Sequence, residues 1–311
     1  MNPKVLTVGS AYFSMNLEIP AVPPSGGSTK IKKYIRYPDG SGVNTAIALQ
    51  KLDTNCILVN SGGKTVYNFL SSYLNNMMTV HVEKGESVGT IFNLDDVDGG
   101  RRRLVFEGAN NFLTTDMVED AFSSCPDAVI VNGDMPQEIV YTAILAANTH
   151  GVPTLVNLQG KQAARLPVDQ FGNGTILVMD QSNAQRYCGM RVDTVEDCLK
   201  ACISLAGRVK SKYFIIRLEG KGAFAYNGKY YYFVPNYDFI AADERGGTEF
   251  YNVALLIRYM IEGDIRMACE FAAVSETVAM LRKGGATNLP DYEDIKKFIV
   301  DNELDARLLI G

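Results

Sequence analysis

The stretch DAVIVNGDMPQEIVYTAILAANTHGVPTLVN (127–157) carries the pattern that decides the fold. Its two ends, DAVIVN (127–132) and PTLVN (153–157), are short apolar runs rich in β-branched residues and bounded by turn residues, which predicts buried strands. Between them, QEIVYTAILAANTHG (137–151) has the apolar spacing of an amphipathic helix. A strand–helix–strand unit of this kind places its two strands in parallel in one sheet.

The same alternation extends over most of the chain. It predicts further strands at KVLTV (4–8), NCILVN (55–60), TILVM (175–179) and YFIIRL (213–218), and further helices at 44–52 and 194–210. We therefore predict an α/β fold with a doubly wound, mostly parallel sheet flanked by helices.

Two segments interrupt the alternation. Residues 12–38 combine a Pro- and Gly-rich stretch with the alternating KIKKYIRY, and residues 79–106 contain a hairpin pattern with Asp98-Gly99-Gly100 at its turn. They predict a small β-lid (12–38 and 79–106) inserted into an α/β domain of residues 1–11, 39–78 and 107–311. A second hairpin is predicted over 223–239, around Asn227-Gly228.

Composition excludes several classes of function. The 311 residues are 47% hydrophobic with a net charge of −5, which gives no bulk attraction to nucleic acid or anionic membranes. Unbroken apolar runs are far shorter than the roughly 20 residues that span a bilayer. The six cysteines include no C-x-x-C pair, and two isolated histidines do not favour a His-based zinc site or a Ser-His-Asp triad. These features indicate a reduced, cytoplasmic protein.

Two glycine turns lead into helices. In DERGGTEFYNVALLIRYMI (243–261) the apolar spacing predicts a helix from about Glu249, so that the preceding turn leaves unpaired amides at a helix N-terminus, where a phosphate is stabilised. PDGSGVNTAIALQKL (38–52) repeats the arrangement. Taken singly, each also fits an ordinary turn before a capped helix. SGGKT (61–65) has Leu58 where a Walker A loop requires glycine, so we reject that motif.

Taken together and in order, these segments resemble the ribokinase-like (PfkB) family of carbohydrate kinases. The resemblance covers Lys4 to about Ile299. It includes Val8-Gly9-Ser10, Gly108-Ala109-Asn110, Lys221-Gly222-Ala223, DERGGTEF (243–250) and Gly285-Ala286. It implies a sheet flanked by helices with a β-lid, and transfer of the ATP γ-phosphate to a hydroxyl of a sugar, nucleoside or small polyol, with Mg²⁺ carried mainly by ATP and no named protein ligand for a metal.

The resemblance also implies site residues. Glu249 occupies the position of the family's catalytic base, and Gly246, Gly247 and Thr248 occupy the positions of its anion hole. The positions implied to face the nucleotide are Asp180, Arg217, Glu219, Lys221, Gly222 and Asp243. Those implied to face the acceptor substrate are Tyr12, Ser14, Asp39, Gly40, Asn44 and Asp134.

Several of these positions depart from the family pattern. Glu249 replaces an aspartate, Thr248 a glycine, Ser14 the aspartate that usually grips sugar hydroxyls, and Glu219 places a carboxylate beside the expected phosphates. Two hypotheses follow: a kinase redirected to an unusual substrate, or a catalytically inactive kinase fold that binds a metabolite or protein partner. Lid-mediated homodimers are a family habit, so a homodimer through the β-lid is a further expectation.

Overall fold

A nine-stranded sheet forms the centre of the protein in the computed structural model, which describes residues 3–61, 68, 70–71, 74, 78–80, 87–159, 171–172 and 174–309. Its strands are β1 (Lys4–Val8), β4 (Asn55–Val59), β5 (Met78–Val80), β8 (Ala128–Asn132), β9 (Thr154–Leu158), β10 (Thr175–Asp180), β11 (Tyr213–Leu218), β12 (Gly222–Tyr226) and β13 (Tyr231–Pro235). The order is β13-β12-β11-β10-β9-β8-β1-β4-β5, and every ladder from β5 to β11 is parallel. The six strands predicted for this sheet are confirmed within a residue or two.

Helices cover both faces of the sheet, as expected for a doubly wound fold. They are α1 (Ser41–Lys51), α2 (Thr115–Ala121), α3 (Gln137–Thr149), α4 (Gln181–Cys188), α5 (Val195–Ala206), α6 (Gly247–Glu262), α7 (Ile265–Met280) and α8 (Tyr292–Asp301), with short 3₁₀ turns at Gly108–Phe112, Phe122–Ser124, Gly285–Asn288 and Ala306–Leu308. Alternate strand residues enter different cores: Val5 belongs to the core that includes side chains of α1, α6, α7 and α8, whereas Leu6 belongs to the core that includes side chains of α2, α3 and α5. Among the described residues, no helix is long and apolar enough to span a membrane.

A separate four-stranded sheet is built from the two segments that interrupt the alternation. Its strands are β2 (Tyr12–Ile19), β3 (Lys33–Asp39), β6 (Gly89–Asp96) and β7 (Arg101–Phe106), in the order β3-β2-β6-β7. Both predicted hairpins, β6–β7 and β12–β13, are antiparallel pairs. Most of the predicted 79–86 portion, and SGGKT after Ser61, lie outside the described residues. We call this second sheet the small sheet.

The sheet order creates a crevice. The chain builds β4 and β5 on one side of β1, and β8 to β11 on the other, so the order reverses between β1 and β8. In open α/β sheets, ligands bind outside the carboxyl ends of the strands at such a reversal. Ser10 follows β1 and Asp134 follows β8, which places both at this point.

Candidate active site

Two cavities lie at the carboxyl edge of the large sheet. The first, about 580 Å³, is enclosed by the ends of β1, β8 and β9, the start of α1, the small sheet and the turn before α6. The second, about 880 Å³, is enclosed by the ends of β10 and β11, residues 236–241 and α7. Gln159, Glu244 and Thr248 line both cavities. Groups bound in the two cavities would therefore meet at the turn that begins α6.

Asp39 and its partners form one wall of the first cavity. The Asp39 carboxylate accepts hydrogen bonds from the Ser14 hydroxyl (2.5 Å), the Gly40 amide (2.8 Å) and the Asn44 side-chain amide (3.3 Å). Asp39, Gly40 and Asn44 line the cavity, whereas Ser14 is fully buried behind Asp39. Ser14, which was predicted to face the substrate, therefore does not line the cavity; its hydroxyl orients the Asp39 carboxylate instead.

Asp134 forms a second wall with two serines, Ser10 and Ser41, to which the sequence analysis gave no role in the site. Its carboxylate accepts hydrogen bonds from the hydroxyls of Ser10 and Ser41, both at 2.6 Å. Each serine oxygen also accepts the backbone amide of the other, at 3.1 and 3.2 Å. The cluster fixes the loop after β1 against the start of α1. The signal that could have found Ser10 and Ser41 is their position, directly after a strand and at the start of a helix.

Glycines allow the loop after β1 to cross closely over the start of α1. A Cβ on Gly42 would lie 2.6 Å from the Gly9 carbonyl oxygen, and one on Gly40 would lie 2.5 Å from that of Ser10. Gly40 also has a φ of +102°, which favours glycine. The missing side chain of Gly42 thus accommodates the protein's own backbone, whereas Gly40 both crosses the chain and lines the cavity.

Glu249 lies in the first turn of α6, on the wall of the first cavity. Burial raises the pKa of its carboxyl to about 8, and the negative charges of Asp39 and Asp134 act in the same direction. A carboxylate with a pKa near neutrality is suited to accept a proton from a substrate. Tyr12 also lines this cavity, and its hydroxyl donates to Glu107. Burial raises the pKa of the Tyr12 hydroxyl well above its usual range, and the bond to Glu107 acts in the same direction.

The turn before Glu249 has the conformation expected of an anion site. Gly246 has a φ of +79° and caps α6, which begins at Gly247, two residues before the predicted start. The first amides of a helix lack intrahelical partners, and its dipole favours negative charge. Gly246 and Thr248 line the cavity, but Gly247 does not. The Gly247 amide donates to the Glu244 carbonyl at 3.3 Å.

Arg245 braces this turn. Its guanidinium donates two hydrogen bonds to Asp243, at 2.8 and 2.5 Å, and lies 4.8 Å from the centre of the Tyr37 ring on the small sheet. Asp243 also accepts the Gly284 amide at 3.1 Å. Burial opposes ionisation of Asp243, but the bonds from Arg245 prevail and lower its pKa to about 2. Asp243 lies outside both cavities and anchors the turn.

The second cavity is strongly acidic. Five carboxylates line it, and Arg217 is the one basic side chain in its described lining; the carboxylates belong to Asp180, Glu219, Asp238, Glu244 and Glu276. Arg217 donates to Glu276 at 2.6 Å and lies 4.0 Å from the centre of the Tyr251 ring, so its charge is paired inside the protein. Sequence comparison did not find Glu276, which lies 59 residues from Arg217 on α7.

Three residues predicted to face the nucleotide do not line the second cavity: Asp243, described above, Lys221 and Gly222. The Lys221 ammonium donates to the Asp193 carbonyl at 2.7 Å, and Gly222 pairs with Pro235 in the β12–β13 ladder. A Cβ on Gly222 would lie 2.1 Å from the Val234 carbonyl oxygen, so the absence of a side chain at Gly222 allows the two strands to approach closely.

Asn132 and Asn157, at the ends of β8 and β9, line the first cavity and were not predicted. Their signal is again the carboxyl end of a parallel strand.

Comparison with known proteins supports this fold. The family model described as pfkB family carbohydrate kinase matches residues 2–291. A deoxyribokinase of Salmonella typhi is 22% identical over 311 residues, covering 96% of this chain and 99% of the relative. The structure of Arabidopsis thaliana ribokinase complexed with ribose and ATP superimposes with a TM-score of 0.80 at 20% identity, covering 96% of this chain and 99% of that one. Phosphofructokinase-2 of Escherichia coli gives 0.78 at 18% identity, covering 97% and 99%.

Proposed function

Because this chain belongs to the pfkB family of carbohydrate kinases, we propose that it transfers the γ-phosphoryl group of ATP to a hydroxyl of a sugar or similar small polyol. The observation that carries the proposal is the shared wall of the two cavities: Thr248 lines both, and Glu249 follows it on the acceptor side. An acceptor in the first cavity and a nucleotide in the second would meet at the N-terminus of α6. The Arabidopsis thaliana ribokinase is complexed with ribose and ATP, which supports ATP as the donor here.

In the proposed reaction, Glu249 accepts the proton of the acceptor hydroxyl. The hydroxyl oxygen bonds to the γ-phosphorus as the bond from that phosphorus to the bridging oxygen breaks, and ADP leaves. The turn amides at Gly246 and Thr248, with the dipole of α6, stabilise negative charge on the phosphoryl group. Asp39 and Asp134 are held rigidly by their own hydrogen bonds and position the acceptor.

Magnesium fits the second cavity as a partner of the nucleotide phosphates. Asp180 and Glu219 offer the hard oxygen donors that Mg²⁺ prefers. No group of three or more potential ligands close enough to hold a metal occurs among the described residues. Mg²⁺ commonly uses one or two carboxylates together with substrate phosphates, and it would neutralise phosphate charge in this acidic cavity.

The acidic second cavity favours one alternative: a kinase fold that binds a metabolite without phosphoryl transfer. Arg217 is paired with Glu276, and Lys221 donates to the Asp193 carbonyl, so both cationic side chains predicted to face the nucleotide already have partners within the protein. The two functions are distinguished by incubating the protein with MgATP and a panel of sugars, polyols, amino sugars and nucleosides while ADP release and ligand-induced melting are followed. Acceptor-dependent ADP release that is lost in Glu249→Gln supports the kinase. Stabilisation by a metabolite with no ADP release supports the alternative.

The small sheet supports a homodimer. Its two edge strands carry exposed apolar side chains, among them Tyr34 and Ile35 on β3 and Leu104 and Phe106 on β7. Such surface marks interaction sites, because apolar area in water is unfavourable. Sedimentation of the native protein and of Ile35→Lys tests this: a native dimer that becomes a monomer in the variant supports it, and a native monomer contradicts it.

A further inference from the structure

The described lining of the first cavity carries more negative charge than its basic side chains can balance. Carboxylates of Asp39, Glu107, Asp134 and Glu244 line it, against the guanidinium groups of Arg103 and Arg245. The carboxyl of Glu249 also lines it but, with a pKa of about 8, is largely protonated at neutral pH. Arg245 is bound bidentately to Asp243, outside the cavity, which leaves Arg103 as the balancing charge in the described lining. Acidic clusters occur on many surfaces, so this excess identifies a ligand only together with a second feature.

That second feature is a pair of buried acceptors without donors. Asn44 and Asn157 both line the cavity and are 6% and 5% exposed, and no described residue donates to the side-chain oxygen of either. The orientation of each amide follows from its partner. The NH₂ group of Asn44 faces Asp39, which can only accept while ionised. The NH₂ group of Asn157 faces the Asn132 oxygen, whose own NH₂ group donates to the Val8 carbonyl.

Carboxylates and amide oxygens together require donors, and the carboxylates also require positive charge. A protonated amine supplies three donors and one charge, whereas a hydroxyl supplies one donor and no charge. A substrate with a phosphate or carboxylate would instead meet like charges, and like-charge contacts oppose binding. The volume of about 580 Å³ accommodates a monosaccharide-sized molecule.

We propose that the first cavity selects a polyhydroxylated amine, an amino sugar or amino polyol, with its ammonium group beside Asp39 and Asp134 and its hydroxyls on the remaining acceptors. This inference rests on the proposed function, because it takes the first cavity as the acceptor site. The ammonium group also offsets the charges that oppose ionisation of Glu249, so binding of the amine favours the ionised base. Neutral sugars of the same shape lack this effect.

Calorimetry with matched probes tests the charge preference. The probes are glucosamine, galactosamine and mannosamine, each beside its parent hexose and its N-acetyl derivative, together with D-glucamine beside sorbitol. We expect at least one amine to bind about 10-fold to 100-fold tighter than both its hydroxyl parent and its neutral derivative, since charge-assisted hydrogen bonds are about twice as strong as neutral ones. Equal binding of amine and parent throughout the panel, or binding of no amine, overturns the inference.

Variants locate the effect. Asp39→Asn keeps the shape of the side chain and removes one charge, so it should reduce the amine-to-parent affinity ratio at least about 5-fold. Glu119→Gln, on the exposed surface of α2 and outside the cavity lining, removes the same charge and should leave the ratio unchanged. Melting curves establish that both variants fold. An unchanged ratio in folded Asp39→Asn overturns the assignment of the ammonium position.

Phosphoryl transfer separates this inference from the proposed function. ADP release with a neutral hexose at a rate equal to that of its amine leaves the kinase proposal standing and contradicts the charge preference. Binding of an amine without ADP release supports the charge preference and contradicts the kinase proposal.

Discussion

The Arg217–Glu276 pair offers a sharp test of how the second cavity works. The Arg217 side chain is 16% exposed and that of Glu276 is 7% exposed, so Glu276→Gln leaves a guanidinium with little water and no counter-charge at 2.6 Å. Removing one partner of a buried pair costs about 3–5 kcal/mol of unfolding free energy. We expect about 3 kcal/mol, at the low end of that range, because Arg217 lines a cavity that admits water.

The assay is urea unfolding of Glu276→Gln, Arg217→Met and the double variant Arg217→Met/Glu276→Leu. The double variant should be close to the native protein, because replacing a whole buried pair with apolar residues is often neutral. Calorimetry should also show about 10-fold tighter binding of a non-hydrolysable MgATP analogue to Glu276→Gln, since the cavity loses one negative charge and Arg217 becomes available. Additive single and double losses, or weaker nucleotide binding to Glu276→Gln, would refute this reasoning.

Three further predictions follow from individual contacts. Because Glu249 must be ionised to accept a proton, kcat/KM should rise with pH up to about 8 and then level off. Glu249→Gln should lower kcat/KM by about 10²–10⁴-fold. A pH–rate profile of the native protein that is flat between about pH 6 and 9 contradicts this role. Folding binds a proton at Glu249 between about pH 4.5 and 8, so the native protein should lose stability relative to Glu249→Gln as the pH rises through that window, measured by urea unfolding at each pH. Gly42→Ala places a Cβ 2.6 Å from the Gly9 carbonyl oxygen and should destabilise the fold by about 1–3 kcal/mol, whereas Gly174→Ala, with nothing within 4 Å, should not; equal unfolding midpoints would contradict the crossing.

The sequence predicts the large sheet well because its strands are buried on both faces. Their central residues, such as AVIV (128–131) and ILVM (176–179), are all apolar, and the strands alternate with amphipathic helices whose one buried face has a clear period. The glycine turn into α6 is also readable, because Gly246 needs a positive φ and the apolar spacing starts directly after it. These features are local, and local chemistry determines them.

The contacts that shape the cavities are not local, which is why the sequence did not predict them. Ser10 and Asp134 are 124 residues apart and meet only because β1 and β8 are neighbours in the sheet. The sequence predicts that Arg217 and Lys221 both face the nucleotide. In the fold, Arg217 pairs with Glu276 and Lys221 donates to the Asp193 carbonyl. Family motifs indicate where a backbone goes, but the partners of a charged side chain depend on the tertiary packing around it.

Phosphoryl transfer requires the second cavity to deliver a nucleotide to the turn beside Glu249. Calorimetric titration of the native protein with a non-hydrolysable ATP analogue and Mg²⁺, repeated with Glu219→Gly, tests it most directly. We expect micromolar binding to the native protein and equal or tighter binding to the variant, which loses one of the five carboxylates of the cavity. No binding to the native protein, with binding restored in Glu219→Gly, would contradict it and would mean that this carboxylate closes the cavity to nucleotides.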